Sequence, residues 1–245
     1  ASLADATQNV GVGAGALSAL TQGDGNVVMG SEAGDGITTG DNNVAIGRNA
    51  AGALSGGDNN VVVGKQALFY ATTSADNNIA VGTSAMGGNF TSNDVNNCTV
   101  VGYSAMSGVL TTAASGNVAI GYNGLGSNTS GAGNTAVGFD SGSSNQTGAN
   151  NTYVGYQAGK GASGNEANNT GVGMDALFAI TDGDRNTAVG KDAFIALTTG
   201  QYNVAIGYDA GTALVGGTHN VIIGDSAGIA TTTVDKAVII GQAAG

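Results

Sequence analysis

One short pattern recurs along the whole chain, and it constrains the fold more than any other feature. The pattern reads Asn-(Val/Thr)-x-(Val/Ile)-Gly-x-x-Ala, and its glycines stand 17 residues apart in most repeats and 18 to 20 apart in the others. Helical solenoids use units of about 33–47 residues, so a repeat this short favours a coil built from β-strands. We therefore predict an all-β fold, one continuous parallel β-solenoid (a β-roll) of about fourteen coils over residues 1–245, without a second domain. The motif glycines are Gly13, Gly30, Gly47, Gly64, Gly82, Gly102, Gly121, Gly138, Gly155, Gly173, Gly190, Gly207, Gly224 and Gly241.

The strand of each repeat consists of small, β-branched or apolar residues with almost no exception. The first and third positions, such as Val44 and Ile46, hold Val, Ile or Thr in nearly every repeat. They share one face because side chains alternate along a strand, and we predict that this face lines the interior of the coil. The middle position, such as Ala45, is then expected to face outward. Because it is small or apolar rather than charged, we expect it to pack against another subunit; the alternative is that the chain's own loop covers it.

The other conserved columns of the repeat have conformational roles. Asn before the strand tolerates left-handed backbone, and stacked Asn side chains are expected to bond from coil to coil. Gly after the strand supplies a positive φ angle, and the Ala column indicates close approach of backbones. The remaining loop closes each coil, with residues 65–68 or 191–194 as candidates for a single helical turn.

Composition and charge exclude several classes of protein. The chain has 45 Gly and no Pro, and its formal net charge is −11, so a nucleic-acid partner is not expected. Cys98 is the only cysteine, which excludes a disulfide within one chain and a Cys-x-x-Cys metal site. No apolar run approaches the roughly 18–20 residues that would cross a bilayer. The chain starts at Ala1 without an initiator Met, so we expect either processing or a piece of a longer protein.

Single residues that could carry chemistry have ordinary structural interpretations. His219 is the only histidine, no nucleophile motif accompanies it, and we expect a solvated turn residue. Cys98 replaces the Asn of its repeat and is expected to pack as a small apolar group rather than to bridge two subunits. We therefore expect no enzyme activity, no catalytic residues, no cofactor and no metal centre.

Three side-chain ladders are possible binding features. Asp24, Asp41, Asp58 and Asp76 share a column, for which we favour turn capping over calcium binding. Thr135, Thr152, Thr170 and Thr187 form a second ladder, but we expect them to point inward with Val, which disfavours an ice-binding surface. The third ladder is aromatic; it could bind the sugars of a host-surface glycan, although stacking of neighbouring coils is the favoured explanation. Its candidate ligand-binding residues are Tyr103, Tyr122, Phe139 and Tyr156.

The repeat resembles two known families. Its Asn-Val-Ala-Ile-Gly form is similar to the head of YadA-type trimeric autotransporter adhesins, and residues 150–159 (NNTYVGYQAG) are closer still to repeats of bacteriophage tail-fibre proteins. The resemblance implies a left-handed β-roll in a homotrimer, with the Val-Ala-Ile strands towards the three-fold axis. The 17-residue period is longer than that of the adhesin head, and no neck, stalk, anchor or autoprocessing segment is recognised.

From these features we expect a structural segment, shaft or head, of a trimeric attachment fibre, a phage tail fibre or a bacterial adhesin, which is extracellular or on the virion surface. The chain's partners would be further copies of itself and a host glycan, without membrane insertion. The last four residues joined to the first thirteen would complete another 17-residue repeat. An alternative is therefore an extracellular filament of solenoids stacked head to tail, and an ice- or calcium-binding solenoid is a further one.

Overall fold

The structure, a computed structural model, describes residues 6–71, 74–90 and 95–245. Residues 1–5 belong to the 17-residue repeat that residues 242–245 and 1–13 are predicted to form, and they lie outside the described residues. The described part consists of three-residue strands, tight turns and one 3-10 helix at Thr112–Ala114.

The chain divides into two compact units, unit 1 (Ala1–Asn123) and unit 2 (Gly124–Gly245). Each described strand immediately precedes a motif glycine, so the repeat predicts strand positions correctly. The strands of unit 1 are β1 (Val10–Val12), β2 (Val27–Met29), β3 (Val44–Ile46), β4 (Val61–Val63), β5 (Ile79–Val81), β6 (Thr99–Val101) and β7 (Val118–Ile120). The strands of unit 2 are β8 (Thr135–Val137), β9 (Thr152–Val154), β10 (Thr170–Val172), β11 (Thr187–Val189), β12 (Val204–Ile206), β13 (Val221–Ile223) and β14 (Val238–Ile240).

Successive strands within each unit pair in parallel, with equivalent residues directly opposite one another. In unit 1, Val27 pairs with Val44 and Ile46 pairs with Val63; in unit 2, Thr187 pairs with Val204. Backbone bonds continue this pairing through the turns, as from the Gly47 N–H to the Met29 carbonyl, at 2.8 Å. The predicted all-β parallel β-solenoid with a repeat of about 17 residues is confirmed in both units. A single continuous domain, left-handed winding and a trimer stay predictions.

The predicted facing of the strand residues is wrong, and the structure inverts it. The middle residues, such as Ala45 and Ala205, are completely buried, whereas Ile46 and Ile206 beside them are exposed. The physical reason is the narrowness of the coil. The interior has room for only one side chain from each three-residue strand, and the size of that side chain varies from coil to coil. The middle residue therefore points inward, and the first and third residues point outward.

Size matching across the interior shows how little room there is. Tyr153 in β9 is the only bulky middle residue, and it is completely buried. Its ring fills the space that three glycines leave: a Cβ added at Gly142, Gly159 or Gly171 would lie 3.1, 2.4 or 3.3 Å from it. Large residues in one coil are therefore compensated by glycines in the same and adjacent coils, as close packing requires.

The Asn column forms the predicted ladder. The Asn186 Nδ2 donates to the Gly200 carbonyl at 2.7 Å and to the Asn169 Oδ1 at 3.1 Å. Its own Oδ1 accepts from both the backbone N–H and the Nδ2 of Asn203. Each buried amide therefore bonds the coils on both of its sides, which satisfies polar groups that would otherwise be costly to bury.

The predicted helical turns are wrong because the loop backbone alternates between left-handed and right-handed conformations. Gln66 and Leu68 have φ angles of 55° and 46°, and Asp192 and Phe194 have angles of 58° and 51°. A right-handed helix requires negative φ angles at every residue. The loop therefore closes through successive tight turns rather than through a helix.

Candidate interaction surface

The outward residues of the strands form an apolar face on each unit, which we call the strand face. In unit 1 it comprises the first and third residues of β1–β7, including Val12 and Met29, which are 52% and 51% exposed. Side chains of this kind normally belong to the interior. Repeated from coil to coil, they form a contiguous apolar patch rather than scattered single residues.

The strand face of unit 2 is also apolar, but threonine makes part of its first column more polar. Its outward residues include Val189, Ile206, Val238 and Ile240, all exposed. The first column of β8–β11 is the ladder Thr135, Thr152, Thr170 and Thr187, and each of these side chains is partly exposed. The prediction that this ladder points inward is therefore wrong, for the same reason as for the other outward columns.

No ionisable side chain stands at an outward position of the fourteen described strands. The first and third strand residues are Val, Ile, Thr or Met throughout both units. The chain as a whole has a formal net charge of −11, so its acidic residues lie on the turns and loops instead. The strand face is therefore an uncharged surface on an acidic chain.

The predicted aromatic ladder lies on the surface, on the residue after the motif glycine. In unit 1 the rings of Tyr103 and Tyr122 stack with centroids 5.5 Å apart, and in unit 2 those of Phe139 and Tyr156 stack at 5.4 Å. The four rings are between 43% and 55% exposed. A near-parallel stack directs ring faces at one another rather than at solvent, which supports coil stacking. A glycan-binding role for these four residues stays a prediction.

Sequence analysis did not identify a second ladder that contains aromatic rings, which lies in the turn column before Asn in unit 2. The Arg185 guanidinium lies 5.2 Å from the ring centroid of Tyr202 and donates to its hydroxyl at 3.0 Å. Tyr202 in turn stacks on His219 with centroids 4.8 Å apart. The 17-residue spacing of these three residues is the signal that could have revealed the stack. His219 is an exposed turn residue, as predicted, but it also has this ring partner.

The acidic column of unit 1 caps turns. The Oδ1 of Asp41 accepts from the Asp24 backbone N–H at 2.7 Å, and the Oδ1 of Asp58 accepts from Asp41 at 2.8 Å. Asp76 continues the series by accepting from Asp58. Each carboxylate thus bonds the backbone of the preceding coil. Within the described ranges, no group of three or more His, Cys, Asp or Glu residues could hold a metal ion.

Cys98 is buried in the Asn column of unit 1. Its backbone N–H donates to the Asn78 Oδ1 at 3.0 Å, as an Asn there would, and its Sγ lies 3.5 Å from the Ala114 carbonyl oxygen. Burial raises the pKa of this thiol to about 11. The thiol is therefore protonated at neutral pH and unreactive. This agrees with the predicted packing role and leaves no accessible sulfur for a bridge between subunits.

No helix in the portion of the chain that is described has the length and hydrophobicity to span a membrane. Comparisons with models of protein families, with curated proteins and with solved structures give no significant match to this chain.

Proposed function

We propose that this protein is a structural segment of an extracellular or virion-surface attachment fibre, in which copies of the chain associate through their strand faces. The observation that carries the proposal is the strand face itself, two apolar and uncharged columns on a chain whose formal net charge is −11. The solenoid fold suits a structural repeat protein, because coil-to-coil hydrogen bonding gives a stiff support without a catalytic site.

Periodicity favours a second copy of this chain as the occupant of the strand face. Outward side chains recur at the spacing of parallel strands, about 4.8 Å. These side chains form ridges, and a partner surface fits between the ridges at every coil only if its own side chains have the same spacing. A second copy of the chain has that spacing. The resemblance to trimeric fibres adds three as the expected number of copies.

The first test is the mass of the particle in solution. Sedimentation equilibrium of the full chain at micromolar concentration is expected to give a discrete species of three chains. Ile206→Glu places a charge on the strand face, and because Ile206 is already exposed, the coil itself should fold unchanged. A buried unpaired charge at an interface is strongly unfavourable. The variant is therefore expected to be monomeric, with an unchanged far-ultraviolet circular dichroism spectrum.

The matched control is Ile229→Glu, which makes the same chemical change at an equally exposed Ile outside the strand face. It should remain trimeric. A monomeric wild-type chain, or equal dissociation of both variants, would contradict the proposal. Polymers that grow with concentration would favour the alternative, a filament of solenoids stacked end to end.

A further inference from the structure

Departures from the repeat are concentrated in one coil of unit 2. Between Gly155 and Gly173 the chain has 18 residues, while the other glycine spacings of this unit are 17. The same coil has Glu166 in a column that is Gly in the adjacent coils, at Gly148 and Gly183. It also has Ala162 in a column that holds Ile180, Leu197 and Leu214 further along. A carboxyl group thus occupies the part of the interior that a branched apolar side chain fills elsewhere.

The Glu166 carboxyl is completely buried and only half satisfied. Its Oε2 accepts from the Gly164 backbone N–H at 3.1 Å, but its Oε1 has no hydrogen-bond partner. A Cβ added at Gly148 would lie 2.4 Å from Oε1, so this oxygen lies directly against the backbone of the preceding coil. An ionised carboxylate with an unbonded oxygen in such a place is strongly unfavourable.

Other buried polar side chains of unit 2 also lack hydrogen-bond partners. Both polar atoms of the Asn145 side chain are buried without a hydrogen bond. Asn145 belongs to the preceding coil, in the column that holds Ile180, Leu197 and Leu214 further along. The buried Tyr153 hydroxyl likewise has no hydrogen-bond partner.

We propose that Glu166 is a proton-binding site inside unit 2: the carboxyl is neutral while its coil is closed, and ionisation favours opening of residues 155–173. A neutral carboxyl brings no charge into the interior, and its O–H can donate a hydrogen bond that a carboxylate cannot. Loss of the proton removes this donor and leaves a buried negative charge.

The surroundings of Glu166 also favour the neutral form of its carboxyl. Burial, with smaller contributions from the negative charges of Asp182 and Asp184 in the next coil, raises the pKa of Glu166 to about 7. Two backbone N–H groups, of Glu166 and Gly164, oppose this shift. Tyr153 is the titratable group facing it from the interior, and burial holds the pKa of its phenol well above the usual value.

The sign of the pH effect follows from comparing closed and open coils. In the open coil the carboxyl regains an ordinary pKa of about 4.5, so between that value and about 7 only the closed coil holds the proton. The closed coil is accordingly most favoured at acid pH and loses this advantage as pH rises to about 7. Within that window, the opening constant should rise about tenfold for each pH unit.

Hydrogen exchange of the full chain, corrected for intrinsic exchange rates at pH 5, 6, 7 and 8, measures this opening. Amides of residues 155–173 should lose protection between pH 5 and 7 in the wild type. Glu166→Gln retains the acceptor but not the charge, and it should abolish this dependence. The matched control is Glu32→Gln, an exposed glutamate of unit 1, which should leave the profile unchanged. Identical profiles for the wild type and Glu166→Gln would overturn the proposal.

A direct measurement covers the case in which Glu166→Gln does not fold. Glu32 and Glu166 are the only glutamates, so carboxyl ¹³C labelling of glutamate gives two resonances in the wild-type chain. One of these resonances should titrate near pH 7. Two resonances that both titrate below pH 5 would equally overturn the proposal.

Discussion

At the scale of single residues, the length of a coil varies with the residue three positions before its member of the Asn column. This residue is Gly in most 17-residue coils, where it faces a large side chain of the same coil: a Cβ at Gly57 would lie 2.5 Å from Leu54. In the longer coils the same column holds a larger residue. The long coils have extra backbone residues, and some of them have a smaller residue, such as Ala71 or Ala162, at the position equivalent to Leu54. Together these changes provide the space for the larger residue. The larger residues in the long coils are Ala75, Val95, Ala114 and Glu166.

The motif glycine is the residue least open to substitution. Gly190 has a φ angle of +136°, and a Cβ there would lie 2.2 Å from the Gly207 carbonyl oxygen. Backbone strain and overlap should together lower the free energy of unfolding of Gly190→Ala by about 2–4 kcal/mol, measured by chemical denaturation. Gly216→Ala is the control, because the nearest atom to its added Cβ is 3.6 Å away. Equal losses for the two variants would contradict this explanation.

At the scale of structural elements, periodicity predicts where strands lie but not which way they face. Strand positions and parallel register follow from the spacing of Gly and Asn, because a repeated residue type requires a repeated environment. Facing depends on the width of the coil, which no single repeat encodes, so Val44 and Ala45 were assigned to the wrong sides. The buried carboxyl of Glu166 was missed because its burial results from the stacking of adjacent coils.

The Asn ladder of unit 1 is interrupted where Cys98 replaces Asn. An amide at this position could bond Asn78 and the Ala114 carbonyl, which the thiol contacts only weakly at 3.5 Å. Cys98→Asn is therefore expected to raise the free energy of unfolding by about 1 kcal/mol, read from the urea midpoint. The reciprocal variant Asn60→Cys breaks an intact part of the ladder and should lower it. Destabilisation by Cys98→Asn would refute the ladder as the source of stability.

At the scale of the whole molecule, coils are interchangeable wherever their columns agree. Gly173 and Gly190 make the same contacts with the glycine of the following coil. Deleting residues 174–190 joins equivalent positions and should leave a folded chain, with unchanged circular dichroism per residue and resistance to limited proteolysis. Deleting only residues 174–181 removes the inward Ala176, Leu177 and Ile180 and shifts every later column. Unit 2 of that variant should lose its resistance to proteolysis. A folded product would contradict the idea that coils are interchangeable only where their columns agree.

The bonding of each coil to its neighbours has a consequence for how the protein is made. The hydrogen bonds between coils join each coil to the adjacent one, as when Val44 donates to Asn60 and Val204 to Asn220. Because each coil within a unit contacts its neighbours, folding can begin at one coil and spread to the next. Each coil can close on the one synthesised before it, so folding can keep pace with the emergence of the chain from the ribosome.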